Sequence, residues 1–351
     1  MRSVELKIED VAFGGKGVAR DEGKAVFVPF TIEGEQITAK IVREKKQFAE
    51  AELIELLEPS PERTTPECPY FGRCGGCSYQ HISYTHQLEL KARQIEQAIR
   101  RIGRLAEPPM QPIVPSPLTY AYRNRITVHA QDGIVGFYRR DIHQLMNIER
   151  CPIAMPEVNN ALAQLRSSRV RNGHYALRAH SGPRVFAQTN DAVADAIAAS
   201  IAQTFTGEEK LLIDAFCGAG FFSKRLAAQF ERIIGIDWDR FAIDVARKDV
   251  APNETYIAGD VTTELRGLLE QSDLTSTALI VDPPATGLSS EMRRAILDSP
   301  PRTMLYVSCN PPTLARDLVE LQQRFAIISI RPFDMFPQTA EIEAVTCLRA
   351  M

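Results

Sequence analysis

From about Asp191 onward, short runs of continuous apolar residues alternate with helical stretches, and this alternation limits the fold more than any other feature of the chain. The runs are Lys210–Ile213, Arg232–Ile236, Ala278–Val281 and Met304–Val307, and helical spacing occupies about 190–204, 219–229, 239–249 and 289–298. A strand with one wet face alternates apolar and polar residues, whereas a strand covered on both faces is apolar throughout. Continuous strands separated by helices predict a parallel, doubly wound α/β sheet. Such sheets bind ligands in the crevice beyond the carboxyl ends of their strands.

The residues at those ends carry chemistry. The first strand runs into Asp214-Ala215-Phe216-Cys217-Gly218-Ala219-Gly220, a glycine-rich turn whose backbone can approach a cofactor closely. The second ends at Asp237, a carboxylate able to accept from both hydroxyls of a ribose, and Asp260 follows at the third. Helix N-capping is the plainer explanation for these acids; it does not explain the glycines. The fourth strand ends at Asp282-Pro283-Pro284. The fifth ends at Ser308-Cys309-Asn310-Pro311-Pro312-Thr313, a cysteine where a buried strand gives way to a proline-led helix. A thiolate is a strong nucleophile and a helix N-terminus favours it. Free cysteine also packs as a small core residue, and taken alone that explanation is the stronger. Beyond it, Asp334 and then Glu341-Ile342-Glu343 place carboxylates before a last strand.

The rest of the chain differs in kind. Residues 1–57 alternate as an all-β segment (Val4, Leu6, Ile8; Ala25–Phe30; Ile37–Val42), which fits a small barrel of the sort that often binds oligonucleotides. A proline-rich stretch from Glu58 to Pro66 marks a boundary. Next comes Cys68-Pro69-Tyr70-Phe71-Gly72-Arg73-Cys74-Gly75-Gly76-Cys77, which with the distant Cys151 makes a four-thiol set suited to zinc or to an iron–sulfur cluster. Spacing alone does not choose between them. Helical spacing covers Tyr84–Leu105, and strand-like runs flank Asp132-Gly133, a hairpin turn. The expected division is therefore 1–57, 58–188 and 189–351, with the helix from 84 to 105 able to pack on the third part.

Charge is uneven. The chain has a formal net charge of −3, yet Lys91–Arg184 holds 15 Lys and Arg against 6 Asp and Glu. Fourteen of those 15 cations are arginine, whose planar fork pairs with phosphate and stacks on bases. Tyr120-Ala121-Tyr122-Arg123-Asn124-Arg125 interleaves aromatics with arginine, which favours RNA or a single strand. Seven cysteines fit a reducing compartment. No apolar run reaches membrane-span length, and Met1–Lys7 lacks the apolar core of a signal peptide, so a cytoplasmic monomer without a membrane partner is expected.

Taken together these motifs resemble the RNA uracil-C5 (5-methyluridine) methyltransferases, over essentially the whole chain. Residues 1–57 resemble the TRAM RNA-binding barrel, and Cys68–Cys77 with Cys151 resembles the family's cluster loop. Asp214–Gly220, Asp282-Pro283-Pro284 and Ser308-Cys309-Asn310-Pro311 match its cofactor and catalytic motifs. The resemblance implies a Rossmann-like S-adenosylmethionine methyltransferase domain, an N-terminal β-barrel and a central α+β iron–sulfur domain. It implies S-adenosylmethionine contacts from Gln188 (in Phe186-Ala187-Gln188-Thr189-Asn190), Phe216, Asp237, Asp260 and Asp282. A [4Fe-4S] cluster on Cys68, Cys74, Cys77 and Cys151 is implied too, with Cys309 as nucleophile and Glu343, six residues after Pro337, as base. Two positions depart: Ala285 stands where relatives often carry arginine, and Phe221 where some carry asparagine.

The implied reaction is methylation of C5 of a uridine in RNA, with 23S ribosomal RNA expected ahead of transfer RNA. Two rivals stand beside it: an amino-directed RNA methyltransferase using Asp282-Pro283-Pro284, and a non-catalytic RNA-binding scaffold stapled by metal.

Overall fold

The computed structural model describes residues 2–181 and 188–351. Phe186, Ala187 and Arg184 of the segments above lie outside the described residues. The chain divides into two compact units: Met1–Gln94, Pro117–Ser181 and Phe336–Glu341 form the first, and Ile95–Ser116, Gly182–Met335 and Ile342–Met351 the second.

The first unit opens with strands β1 (Ser3–Lys7), β2 (Asp10–Val11), β3 (Lys16–Asp21), β4 (Lys24–Pro29), β5 (Gln36–Glu44) and β6 (Phe48–Glu58). They pair in the order β1-β5-β6-β4-β3-β2. Alternate residues, among them Leu6, Val26, Val28, Ile37 and Ala39, fill the interior. Three register shifts between β5 and β6 bend the ladder as a closing barrel requires. The proline-rich stretch that follows is pinned to this barrel: Arg63 donates to both oxygens of the fully buried Glu35, at 2.6 and 2.8 Å. A bidentate pair of this kind fixes orientation as well as position.

Helix α1 (Tyr84–Arg101) stops short of the expected Leu105. At Gly103 a Cβ would meet the carbonyl oxygen of Ile99 at 2.6 Å. The unit's second sheet contains β7 (Arg125–Gln131), β8 (Ile134–Tyr138), β9 (Leu145–Asn147) and, after helix α2 (Pro156–Ser167), β10 (Gly173–Arg178), in the order β10-β7-β8-β9. Asp132 and Gly133 both have positive φ (51° and 81°), the signature of the two-residue hairpin turn that Asp-Gly predicts. Ile126 and Val128 face a core shared with Val158 and Leu162 of α2; the residues between them face the other way.

In the second unit helix α3 (Asp191–Ala202) precedes a regular alternation: β11 (Leu211–Ala215), α4 (Phe221–Leu226), β12 (Arg232–Asp237), α5 (Arg240–Ala246), β13 (Glu254–Ala258), α6 (Val261–Gln271), β14 (Thr277–Val281), α7 (Ser290–Asp298), β15 (Thr303–Ser308) and α8 (Pro311–Leu321). Two strands finish it, β16 (Phe325–Phe333) and β17 (Glu343–Ala350). The sheet order is β13-β12-β11-β14-β15-β17-β16, parallel except that β17 runs antiparallel to both its neighbours. β14 and β15 are buried at every position, as their unbroken apolar sequence predicts.

The proline-rich segment after α1 has a role the sequence hides. It runs along β16, with Gln111 and Val114 donating to Ile330 and Pro332 at 2.8 and 2.9 Å. A segment rich in prolines lacks many N–H donors, so it covers the sheet's edge without presenting a new one.

Candidate active site

The crevice is built from the carboxyl ends of β11, β12, β14 and β15. At β11 the chain turns through Phe216 and Gly220, both with positive φ (66° and 81°). Phe216 is not glycine, so its left-handed backbone is held by its surroundings, a feature that concentrates at ligand sites. Gly220 begins α4 where a Cβ would lie 2.6 Å from the hydroxyl of Tyr256. The Asp237 carboxylate latches this turn: one oxygen accepts from the Gly218 N–H at 2.8 Å and the other from the Asp239 N–H at 2.9 Å. An ionised carboxylate has about four acceptor sites, so room is left for a ligand's hydroxyls.

The acids at the strand ends are now distinguishable. Asp260 is the N-cap of α6 and accepts from both the N–H and the hydroxyl of Thr263 at 2.8 Å. Those bonds hold its carboxyl below the ordinary range. Capping thus explains Asp260, while α5 is capped by Asp239 and not by Asp237. Asp214 lies inside β11, fully buried, accepting from the N–H and the hydroxyl of Ser223 at 3.0 and 2.6 Å. Burial pushes its carboxyl up to about 6. Burial, and then Asp214, also raise the half-buried Asp282.

Of the seven cysteines, all among the described residues, only Cys309 is exposed. Every residue of β15 before it is buried, and Asn310 after it caps α8, its side chain accepting from the Thr313 N–H at 3.3 Å. Pro311 and Pro312 fill the first helical turn, where a missing N–H costs nothing. The cysteine is therefore held at the last position before a helix begins. Cys217 and Cys347 are buried, and burial raises both thiols.

Antiparallel register brings a carboxylate to the same place. β15 and β17 pair Val307 with Val345 and Ser308 with Ala344. The next residue along each strand is Cys309 on one and Glu343 on the other. Opposed residues on antiparallel strands have Cβ atoms about 5 Å apart. Glu343 is 5% exposed and pairs with Phe333 on its other side. Glu341, its near neighbour in sequence, is exposed and belongs to the first unit. Gln188 is half-buried, two residues before Asn190, the N-cap of α3, which also donates to the Ser116 hydroxyl at 3.0 Å.

Sequence reasoning passed over two residues beside this crevice. Asp317 of α8 is fully buried and accepts from the Leu288 N–H at 2.8 Å and the Tyr306 hydroxyl at 2.9 Å. With Thr313 donating to Ala285 and Arg316 to Thr286, it ties the turn after Asp282 to the helix after Cys309. An acid within the apolar stripe Leu314, Leu318 and Leu321 was the available signal. The other is Trp238, the chain's single tryptophan, 71% exposed immediately after Asp237.

The four remaining cysteines belong to the first unit, where Cys68, Cys74, Cys77 and Cys151 all line one cavity of about 530 Å³. Arg123, Arg125, Arg150 and Arg178 line it too. Burial raises all four thiols, Cys77 to about 12 and Cys151 to about 11. Backbone N–H groups nonetheless face three of the sulfurs: Tyr70 and Phe71 face Cys68, Gly76 faces Cys74, and Ile153 and Ala154 face Cys151. Among the described residues no three His, Cys, Asp or Glu side chains are arranged to hold a metal ion. The expected metal centre is thus without geometric support as the side chains stand.

A sheet of this order, with a glycine-rich turn at its first strand and an acid latching that turn from the second, defines the S-adenosylmethionine-dependent methyltransferase class. Comparison with known proteins narrows it. Residues 169–351 match the model of the tRNA (Uracil-5-)-methyltransferase family, and residues 2–54 that of the TRAM domain. An uncharacterized RNA methyltransferase of Bdellovibrio bacteriovorus is 32% identical, over 99% of this chain and 95% of its own length. A tRNA (uracil(54)-C(5))-methyltransferase of Schizosaccharomyces pombe is 29% identical, over 99% of this chain and 78% of its own. Among solved structures, the tRNA (uracil-54, C5)-methyltransferase of Pyrococcus abyssi shares the fold, with a TM-score of 0.74 over 98% of this chain and all of that one, at 23% identity. The chain belongs to the RNA uracil-C5 methyltransferase family and carries a TRAM barrel at its N-terminal end.

Proposed function

We propose that the enzyme methylates C5 of one uridine in RNA through a covalent bond between Cys309 and C6 of that base. The observation that carries this reading is the placement of the one exposed thiol at the end of β15, with Glu343 next in register on β17. Uracil C5 is a poor nucleophile. Addition of the Cys309 thiolate to C6 makes C5 enolate-like, so covalent catalysis divides one hard step into two. S-adenosylmethionine supplies the methyl group, which C5 takes as the carbon–sulfur bond of the sulfonium breaks. Glu343 then removes the C5 proton, the C6–sulfur bond breaks, and the thiolate returns. Gln188, Phe216, Asp237 and Asp282 are the cofactor contacts. Asp260 serves chiefly as a cap.

Reaching C6 requires the uridine to leave its stack. The division 1–57, 58–188 and 189–351 gives the roles: barrel and arginine-rich middle for RNA, the last part for chemistry. We assign Cys68, Cys74, Cys77 and Cys151 to a [4Fe-4S] cluster. Four thiols around one cavity with room for more than a single ion, three of them faced by N–H groups, suit a thiolate-bound cluster. Its part is structural, shaping the RNA-binding middle.

The experiment is direct: the purified chain is incubated with methyl-labelled S-adenosylmethionine and RNA from a strain lacking the gene, and the nucleosides are read by mass spectrometry. Labelled 5-methyluridine is expected; label on an exocyclic amine favours the amino-directed rival, and no label the scaffold. Ribosomal RNA is the target expected from the barrel and cysteine loop, whereas the relatives named above for their substrate act on transfer RNA. Mapping the label in both RNAs decides between them.

A further inference from the structure

We propose that the open face of the β10-β7-β8 sheet is a stacking platform for an unpaired stretch of the RNA substrate; this rests on the RNA reading above and adds a surface to it. The face is fixed by strand alternation. Ile126 and Val128 of β7 turn toward α2, so Arg125, Thr127 and His129 turn outward. Register sets Arg178, Ala176 and His174 of β10 directly opposite those three.

Four rings form a continuous row on this face. His143 and Tyr138 stack at 4.1 Å between centroids with planes 20° apart. Tyr138 and His129 lie 4.5 Å apart, and His129 and His174 also 4.5 Å, edge to face. His143 and His174, at the two ends of the row, are exposed, and Tyr138 and His129 are partly so. Next to the rings, Thr127 and Ala176 form a low, exposed floor, and beyond it stands the cross-strand pair Arg125–Arg178, about 13 Å along the strand from His129, where the face meets the mouth of the cysteine cavity that these four residues also line.

Like charges directly opposite on antiparallel strands destabilise a sheet. Here one such pair, Arg125 with Arg178, shares a face with the ring pair His129–His174. Burial, and then His174 and His143, hold the His129 imidazole below its ordinary range, which keeps that ring uncharged and flat near neutral pH. Rings on an open face offer surfaces to bases, and the adjacent guanidiniums offer forks to phosphates. The surrounding stretch carries 15 cationic against 6 acidic residues, so the charge complements a polyanion and not an acid-poor protein surface. A duplex hides its base faces, so the occupant that uses both features is unpaired.

The test uses the full chain and, as probe, an unstructured uridine-containing oligoribonucleotide of about a dozen nucleotides, alone and annealed to its complement. Tyr138→Ala and His174→Ala should each weaken binding of the unpaired probe roughly tenfold. Tyr138→Phe should restore it to within about twofold, and duplex binding and quenching of Trp238 by S-adenosylmethionine should not move. In parallel, wild-type chain is photocrosslinked to a 4-thiouridine-substituted probe; adducts on peptides containing Tyr138, His143 or His174 are expected. Unchanged affinity in both alanine variants, equal weakening for duplex and single strand, or crosslinks confined to other peptides overturns the proposal. If that happens while wild type still forms 5-methyluridine, the platform fails and the enzymatic reading stands; if wild type forms none, the enzymatic reading fails on its own ground.

Discussion

The crevice of the second unit and the cysteine cavity of the first both set thiols among charged side chains, and do so in opposite ways. In the crevice one thiol is exposed, while Asp214 and Glu343 are buried and Asp282 is half-buried. In the cavity four thiols are half-buried, and the charged groups that line it are arginines. The contrast shows that cysteine identity alone says little about role. A thiol at the end of a strand, presented before a capped helix, can meet a substrate atom; thiols raised by burial stay protonated unless a metal takes the proton's place.

The largest effect should come from breaking the exposed side. Cys309→Ala should lower methyl transfer by at least about 10³-fold, measured as 5-methyluridine formed per enzyme, with Trp238 still quenched by S-adenosylmethionine. Residual activity near wild type would move the nucleophile elsewhere. On the other side, Cys77→Ala should leave the anaerobically purified chain colourless, with iron and sulfide lost together. It should also unfold at lower temperature, because metal affinity contributes folding free energy. Stoichiometric zinc without iron in the wild type would reject the cluster while keeping the contrast.

A smaller effect concerns the buried carboxylates. Asp214 has its carboxyl pushed up to about 6 from an ordinary 3.8. The folded state therefore binds this proton more tightly than the unfolded state, and the stability it confers is present below about pH 4 and lost as pH rises through 6. Asp214→Asn cannot ionise, so its melting temperature relative to wild type should rise by a few degrees from pH 5 to pH 8. A constant difference would mean that Asp214 titrates normally.

Much of this was legible in the chain. Continuous apolar strands gave the parallel sheet, and Asp132-Gly133 gave the β7–β8 hairpin of the first unit, because both signals are local. Less visible was that β17 runs antiparallel between β15 and β16, so that the ladder ends at Ser308 opposite Ala344, one residue short of Cys309 on one side and of Glu343 on the other. Register between strands about forty residues apart is a tertiary fact that periodicity does not carry. Asp260 illustrates the reverse: at a strand end an acid that caps the next helix and an acid that holds a ligand read alike, and the bonds to Thr263 show the capping that the sequence only allowed. Asp317 escaped because a buried acid on an apolar helix face looks like an exception until its partners Leu288 and Tyr306 are seen. The row from His143 to His174 escaped because three separate segments supply it.

The central claim is the bond from Cys309 to the base, and the Glu343→Gln variant isolates it. With its base removed, this variant should add to uridine and transfer the methyl group but fail to release the product, leaving an RNA–protein adduct that survives denaturing gels. After nuclease and protease digestion, peptide mass mapping should find a methylated uridine nucleotide on the peptide that contains Cys309. The same mass on another peptide, or full methylation by this variant with no adduct at all, would contradict the account.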